Sequence, residues 1–211
     1  MTESDQARWD RKFAAGEGPA HFEPNQFLVE NRRLLTGERA LDLACGFGGN
    51  ALYVASLGYR VDAVDVSGVA LLQAKGEAAR RGLRIRWVQA DLNRWWVPPA
   101  CYDLIMVFYY LSRELVGPVA VALRPGGLLF QANRNKRFIA VRPDFNPGYL
   151  LEPGELCTLA RDAGLEILHY DEVPPEGAHD SQLIARKSAG VRPVSSEDSV
   201  ERFIIPGEVC R

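Results

Sequence analysis

The sequence predicts a single α/β domain, a doubly wound and mostly parallel sheet that ends in an antiparallel C-terminal hairpin strand. Three observations carry that prediction. Between residues 39 and 171, apolar runs of strand length alternate with helical patterns, the order expected of a parallel sheet covered by helices on both faces. A glycine-rich segment, Cys45-Gly46-Phe47-Gly48-Gly49, joins the first such run to the first such helix. The last two runs, 165–171 and 181–186, are too close for a helical crossover, so they pair antiparallel.

Taken in order, residues 1–36 read as one or two amphipathic helices joined by the Gly/Pro-containing stretch 16–24, with Phe27, Leu28, Leu34 and Leu35 at roughly helical spacing. Residues 40–44 form a short buried strand, followed by the glycines and a helix carrying Leu52, Val54, Ala55 and Leu57. A second strand covers 60–66. Ser67 caps the next helix, which carries Val69, Leu72 and Ala79 and stops near Gly82. Strands three and four are expected at 83–89 and 102–108. Pro118 opens a short helix over 119–123, and Arg124-Pro125-Gly126-Gly127 turns into a fifth strand at 128–132. Residues 153–163 read as a helix ahead of the hairpin. Residues 188–211 are polar apart from Phe203-Ile204-Ile205 and read as a loosely packed tail. The expected organisation is a helical cap over 1–36, the α/β domain over 37–187 and the tail over 188–211.

Composition narrows the function classes. Of 211 residues, 47% are hydrophobic and 25% charged, enough apolar material for a sizeable core, and the formal net charge of −2 points to neither a nucleic-acid backbone nor an anionic membrane surface. No apolar run reaches the ~20 residues of a membrane span. The polar start, with Glu3, Asp5 and Asp10, reads as neither a secretory signal nor a transit peptide, so a cytoplasmic location is expected. The four cysteines form no C-x-x-C pair, and no metal site is expected.

The chemistry-bearing element is Leu41-Asp42-Leu43-Ala44-Cys45-Gly46-Phe47-Gly48-Gly49-Asn50. Glycine here allows unusual backbone angles and lets a ligand approach the main chain closely. The amides of the helix start favour a carboxylate or phosphate. Gly46, Gly48 and Ala51 satisfy the dinucleotide fingerprint G-x-G-x-x-G/A, which leaves an NAD-dependent oxidoreductase open. Asp65, ending the second strand, suits the two ribose hydroxyls of any adenosine. Asp91, after the third strand, discriminates further, because a carboxylate there accepts from an adenine amino group. Asp42 inside the first strand is a costly buried charge unless it serves the loop or the ligand.

Together these residues resemble the class I S-adenosylmethionine-dependent methyltransferases, which have a Rossmann-like fold. Residues 42–48 are similar to that family's D-x-x-C-G-x-G element, Asp65 to its ribose-binding acid, Ala90-Asp91-Leu92 to its adenine-binding step, and 123–129 to its L-x-P-G-G-x-L turn. Trp9-Asp10-Arg11-Lys12-Phe13 resembles the W-x-x-K-W/Y/F segment of the thiopurine and tellurite-resistance methyltransferases, whose first helix closes over the cofactor. The resemblance implies S-adenosylmethionine as cofactor, S-adenosylhomocysteine as product and transfer of a methyl group. It places Trp9, Lys12 and Phe13 in the cap, and Asp42, Ala44, Cys45, Gly46, Gly48 and Asn50 around the turn. Asp65, Val66, Ser67, Ala90, Asp91, Leu92 and Phe108 complete the cofactor set.

On the acceptor side, Phe108, Tyr109 and Tyr110 follow the fourth strand, where open α/β sheets bind ligands. Tyr109 and His179 are the catalytic candidates, and Phe27, Tyr110 and Arg134 the acceptor-binding ones. Arg134, Lys136, Arg137 and Arg142 cluster in 133–142, read as a solvated basic loop with a lid favouring an anionic acceptor as the alternative. The tellurite-resistance group has several basic residues near the last strand, whereas here His179 stands alone. No N/D-P-P-Y/F pattern of DNA or amide methylation is present, so a small-molecule acceptor is expected, with no nucleic-acid or membrane partner and a monomer favoured. The competing readings are the oxidoreductase and a non-catalytic cofactor-binding scaffold.

Overall fold

Helix α1 (Asp5–Ala14) begins where the Ser4 side chain accepts the Ala7 N–H, with Asp5 in its first turn and Arg11 and Lys12 in its last, each complementing the helix dipole. The computed structural model describes residues 4–16, 22–95, 97–172 and 179–189. The expected tail lies outside the described residues from 190 onward, as do parts of the expected cap. The chain divides into two compact units, Met1–Trp95 and Trp96–Arg211, and α1 belongs to the first.

In the first unit, α2 (Gln26–Glu30) is capped by Asn25, whose side chain accepts the Phe27 N–H. Strands β1 (Arg39–Leu43), β2 (Arg60–Asp65) and β3 (Ile85–Gln89) run parallel in the order β3-β2-β1. All but the first residues of β1 and β2 are buried, as expected of strands covered on both faces. The crossovers are α3 (Gly49–Ser56) and α4 (Gly68–Arg80). Ser67 caps α4 as the sequence predicts, accepting the Ala70 N–H.

In the second unit, β4 (Tyr102–Phe108), β5 (Leu123–Arg134), β7 (Asp180–Lys187) and β6 (Leu165–Asp171) lie side by side in that order. The β4–β5 pair is parallel, whereas β5–β7 and β6–β7 are antiparallel. The fold is thus an α/β arrangement on a seven-stranded mixed sheet, mostly parallel with antiparallel strands at the C-terminal end. Helices α5 (Val116–Ala122) and α6 (Glu155–Asp162) belong to this unit.

Several boundaries differ from the sequence reading, most by one or two residues and those of α5 and β5 by more. Helix α5 opens at Val116, ahead of Pro118, because a proline in the first helical turn has no intrahelical bond to lose. Strand β5 pairs from Leu123 rather than from 128, and the register between Tyr102↔Leu123 and Leu104↔Leu128 leaves 124–127 as a bulge. A Cβ at Gly127 would lie 2.9 Å from the Arg124 carbonyl oxygen and 3.0 Å from that of Tyr102, so only glycine lets the chain turn back this tightly. At its other end β5 extends to Arg134 and sets Arg134 opposite Asp180. Arg134 is therefore a strand residue, which corrects the solvated-loop reading for that position. Its neighbours Lys136–Ala140 form a 3-10 turn.

Candidate functional site

The first unit gathers most of the cofactor set at the C-terminal ends of β1 and β2. After β1 the backbone is left-handed at Ala44 (φ 54°), Gly46 (φ 53°) and Gly48 (φ 74°), a conformation costly for a residue with a Cβ. Gly48 is held against β3, since a Cβ there would come within 2.5 Å of the Trp87 ring. At Gly49 a Cβ would lie 2.1 Å from the Glu23 carbonyl oxygen, so the segment before α2 runs directly over the start of α3. The Asn50 side chain, expected at the cofactor, accepts the Asn25 N–H at 2.8 Å and ties that segment down.

Two buried carboxylates hold the turn. Asp42 accepts the Ala51 N–H at 3.0 Å, satisfying a first-turn donor of α3 from within β1. Burial pushes Asp42 up to about 8, helped by the neighbouring Asp65 and opposed by the Ala51 bond. Asp65 accepts the Gly46 N–H at 2.7 Å and the Ser67 N–H at 2.8 Å. Burial raises its pKa against those bonds. Burial likewise raises the Cys45 thiol, with Asp42 and Asp65 adding to the effect.

Helix α1 lies on this turn. Phe13 is buried, with its ring 3.5 Å from where a Gly46 Cβ would stand and edge-on to Phe47 at 4.8 Å. Asp10 anchors the helix by accepting the Ser67 Oγ–H at 2.6 Å and the Val69 N–H at 3.2 Å at the start of α4. The Ser67 bond lowers the Asp10 pKa. Trp9 stacks on Phe13 at 5.6 Å, and the Lys12 ammonium stands 5.0 Å from the Trp9 ring centroid. Val66 accepts the Gln89 amide through its carbonyl. Ala90 donates its N–H to the Asp65 carbonyl, while Asp91 is exposed and accepts the Asn93 N–H in its own turn, beside Leu92. Phe27 is buried in α2.

The second unit brings Tyr109 and Arg134 together on a residue the sequence did not single out, whereas the acceptor-binding candidate Phe27 belongs to the first unit. Asp180, with its side chain only 9% exposed, accepts the Tyr109 phenol at 2.8 Å and Arg134 Nη1 at 3.1 Å. The Arg134 guanidinium stands 5.1 Å from the Tyr109 ring centroid and 4.5 Å from that of Phe138. Tyr109 directly follows β4 with φ at 57° and is 47% exposed. Strain of this kind clusters at functional sites. Phe108 before it is buried, and Tyr110 is half-buried. His179 precedes Asp180, with a buried Nδ1 that has no hydrogen-bond partner among the described residues and a ring 6.2 Å from Phe138.

Asp180 was missed because its place opposite Arg134 follows from the β5–β7 register, and Phe138 because the 3-10 turn that carries it was not predicted. Asp10, inside the aromatic motif, had a local signal in its spacing from Phe13. Among the described residues no cluster of His, Cys, Asp and Glu is arranged to hold a metal ion, and no helix is long and apolar enough to cross a membrane.

Part of the chain is similar to known proteins. Residues 40–127 match the family described as the methyltransferase domain. The chain is 32% identical over 114 residues to ribosomal protein L11 methyltransferase of Thermus thermophilus, covering 52% of this chain and 44% of that one, so it spans less than half of that relative's length. It is 27% identical over 159 residues to ubiquinone biosynthesis O-methyltransferase of Thiobacillus denitrificans, covering 65% and 68%. The solved structure of an S-adenosylmethionine-dependent methyltransferase from Mesorhizobium loti shares the fold with a TM-score of 0.59 at 20% identity, over 74% of this chain and 94% of that one. Residues 40–127 are thus similar to a methyltransferase domain, and the fold is the Rossmann-like one of that solved S-adenosylmethionine-dependent methyltransferase.

Proposed function

We propose that this protein transfers the methyl group of S-adenosylmethionine to a small-molecule acceptor. The observation that carries the reading is Asp65, a buried carboxylate bonded to both the Gly46 and the Ser67 amides beside a left-handed glycine turn. The residues present fit the cofactor. The left-handed backbone after β1 is covered at Gly46 by the Phe13 ring, and the Asp65 carboxylate stands at the strand end where ribose hydroxyls are held in such folds.

The bound cofactor supplies an electrophilic methyl on a sulfonium, so the protein's task is to orient and enclose. Asp65 and the 44–48 backbone hold the adenosine. Phe13 covers the turn and offers a ring face, which attracts a sulfonium by its quadrupole. Trp9 and Lys12 border the methionine end. On the acceptor side, His179 supplies a ring nitrogen able to accept a proton from a protic acceptor, and Tyr109 supplies a hydroxyl held on Asp180. Phe108, Tyr110 and Arg134 shape the pocket, while Asp91 contributes at the adenine from its exposed turn.

The resemblance of the 9–13 segment to the thiopurine and tellurite-resistance group supports a small acceptor. The O-methyltransferase relative supports the same class. A cytoplasmic monomer is the form in which this activity is proposed.

The test is transfer of radiolabel from methyl-labelled S-adenosylmethionine into a cell extract separated into low-mass and protein fractions. Label in the low-mass fraction supports the reading. Label in protein replaces the acceptor with a macromolecule, in line with the ribosomal-protein relative. No label in either fraction, with S-adenosylhomocysteine still bound, leaves a cofactor-binding scaffold.

A further inference from the structure

We propose that Arg134 is the acceptor-recognition residue and that the site takes a planar acceptor bearing a carboxylate. The inference rests on the methyl-transfer reading and names the substrate class for it. Only one guanidinium nitrogen of Arg134, Nη1, is engaged, by Asp180 at 3.1 Å. Its Nε and Nη2 have no hydrogen-bond partner among the described residues, and the side chain is 38% exposed. Those two nitrogens form the parallel fork that matches a carboxylate bidentately.

The surroundings make this a held group rather than a solvated charge. Asp180 lies across the β5–β7 ladder from Arg134, and Asp180 also takes the Tyr109 phenol. The rings of Phe138 and Tyr109 lie within 4.5 and 5.1 Å of the guanidinium carbon. A guanidinium packed in this way has little rotamer freedom left to lose when it binds. Its aromatic neighbours favour a flat ligand over a compact hydrated anion.

Charge balance agrees. The Arg134–Asp180 pair is neutral by itself, so an incoming carboxylate needs a further donor or cation. His179, next to Asp180, has a buried Nδ1 without a partner among the described residues, and such an atom in a native fold calls for an explanation. An acceptor carboxylate or hydroxyl provides its partner. Of the nearby cations, Lys136 pairs with Glu152, and Arg137 Nη1 is given to the Glu172 carbonyl.

The experiment is calorimetry on the full chain in saturating S-adenosylhomocysteine, with benzoate as the probe and benzamide as its neutral, isosteric control. Benzoate is expected to bind at least about tenfold more tightly than benzamide. Arg134→Lys keeps a cation for Asp180 but loses the fork, and is expected to remove that preference while S-adenosylhomocysteine binding and the melting temperature hold. Equal binding of the two probes, binding of neither, or an undiminished preference in Arg134→Lys overturns the proposal alone. Failure of S-adenosylhomocysteine itself to bind overturns the methyl-transfer reading beneath it.

Discussion

The Asp65 carboxylate and the Gly46 amide form one hydrogen-bonded piece, 2.7 Å apart across the ends of two neighbouring parallel strands. With the second oxygen on the Ser67 amide, a single side chain fixes the turn after β1 to the start of α4. Asp65→Ala leaves two buried donors unpaired, at about 1–3 kcal/mol each. Urea unfolding is expected to show a loss of roughly 2–6 kcal/mol, and an unchanged midpoint would contradict this role.

Asp42 gives the domain a pH dependence with a definite sign. Its pKa rises from 3.8 to about 8 on folding because it is buried, so the folded state binds the proton more tightly than the unfolded chain. Stability from this group is full below the unfolded value and is lost as pH climbs to about 8. Asp42→Asn keeps an oxygen for the Ala51 N–H and removes the titration. Its melting temperature, relative to wild type, is expected to improve steadily between pH 5 and pH 8 on this account. An equal difference at both ends of that range would mean Asp42 does not titrate there.

Gly48 is tied to Trp87. Gly48→Ala meets a left-handed φ of 74° and a ring atom 2.5 Å away, costing about 1–2 kcal/mol for the backbone and a further 1–3 for the overlap. In a Trp87→Leu background the overlap is relieved and the backbone cost stays. Equilibrium unfolding of the four proteins is expected to give a coupling of about 1 kcal/mol or more. Strict additivity would place Trp87 elsewhere.

Asp10 fastens α1 to the start of α4 through the Ser67 hydroxyl and the Val69 amide. Asp10→Ala is expected to speed hydrogen exchange across residues 8–14 by at least about fivefold, with β1 and β2 amides unaffected. Equal protection in variant and wild type would show that the aromatic contacts of Phe13 suffice.

Much of this was legible locally. Strands β4 and β6 coincide with their predicted limits because each apolar run is bounded by turn residues, and Ser67 caps α4 because its hydroxyl precedes a helical pattern. The position of the turn was readable locally, since β3 ends at its predicted limit and β1 and β2 end one residue before theirs. What the local pattern lacked was long-range register. Arg134 looked like one cation in a basic loop until β5 proved two residues longer and set it opposite Asp180. The tie between Asn50 and the Asn25 N–H likewise had no local signal, because the two are distant in sequence.

The most direct test of the central claim is calorimetric titration of wild type and Asp65→Ala with S-adenosylhomocysteine, with NAD as control. Micromolar binding to wild type, weakened by at least about 100-fold in the variant and absent for NAD, is the expected result. Binding of NAD in place of S-adenosylhomocysteine, or binding that ignores the loss of Asp65, would contradict it.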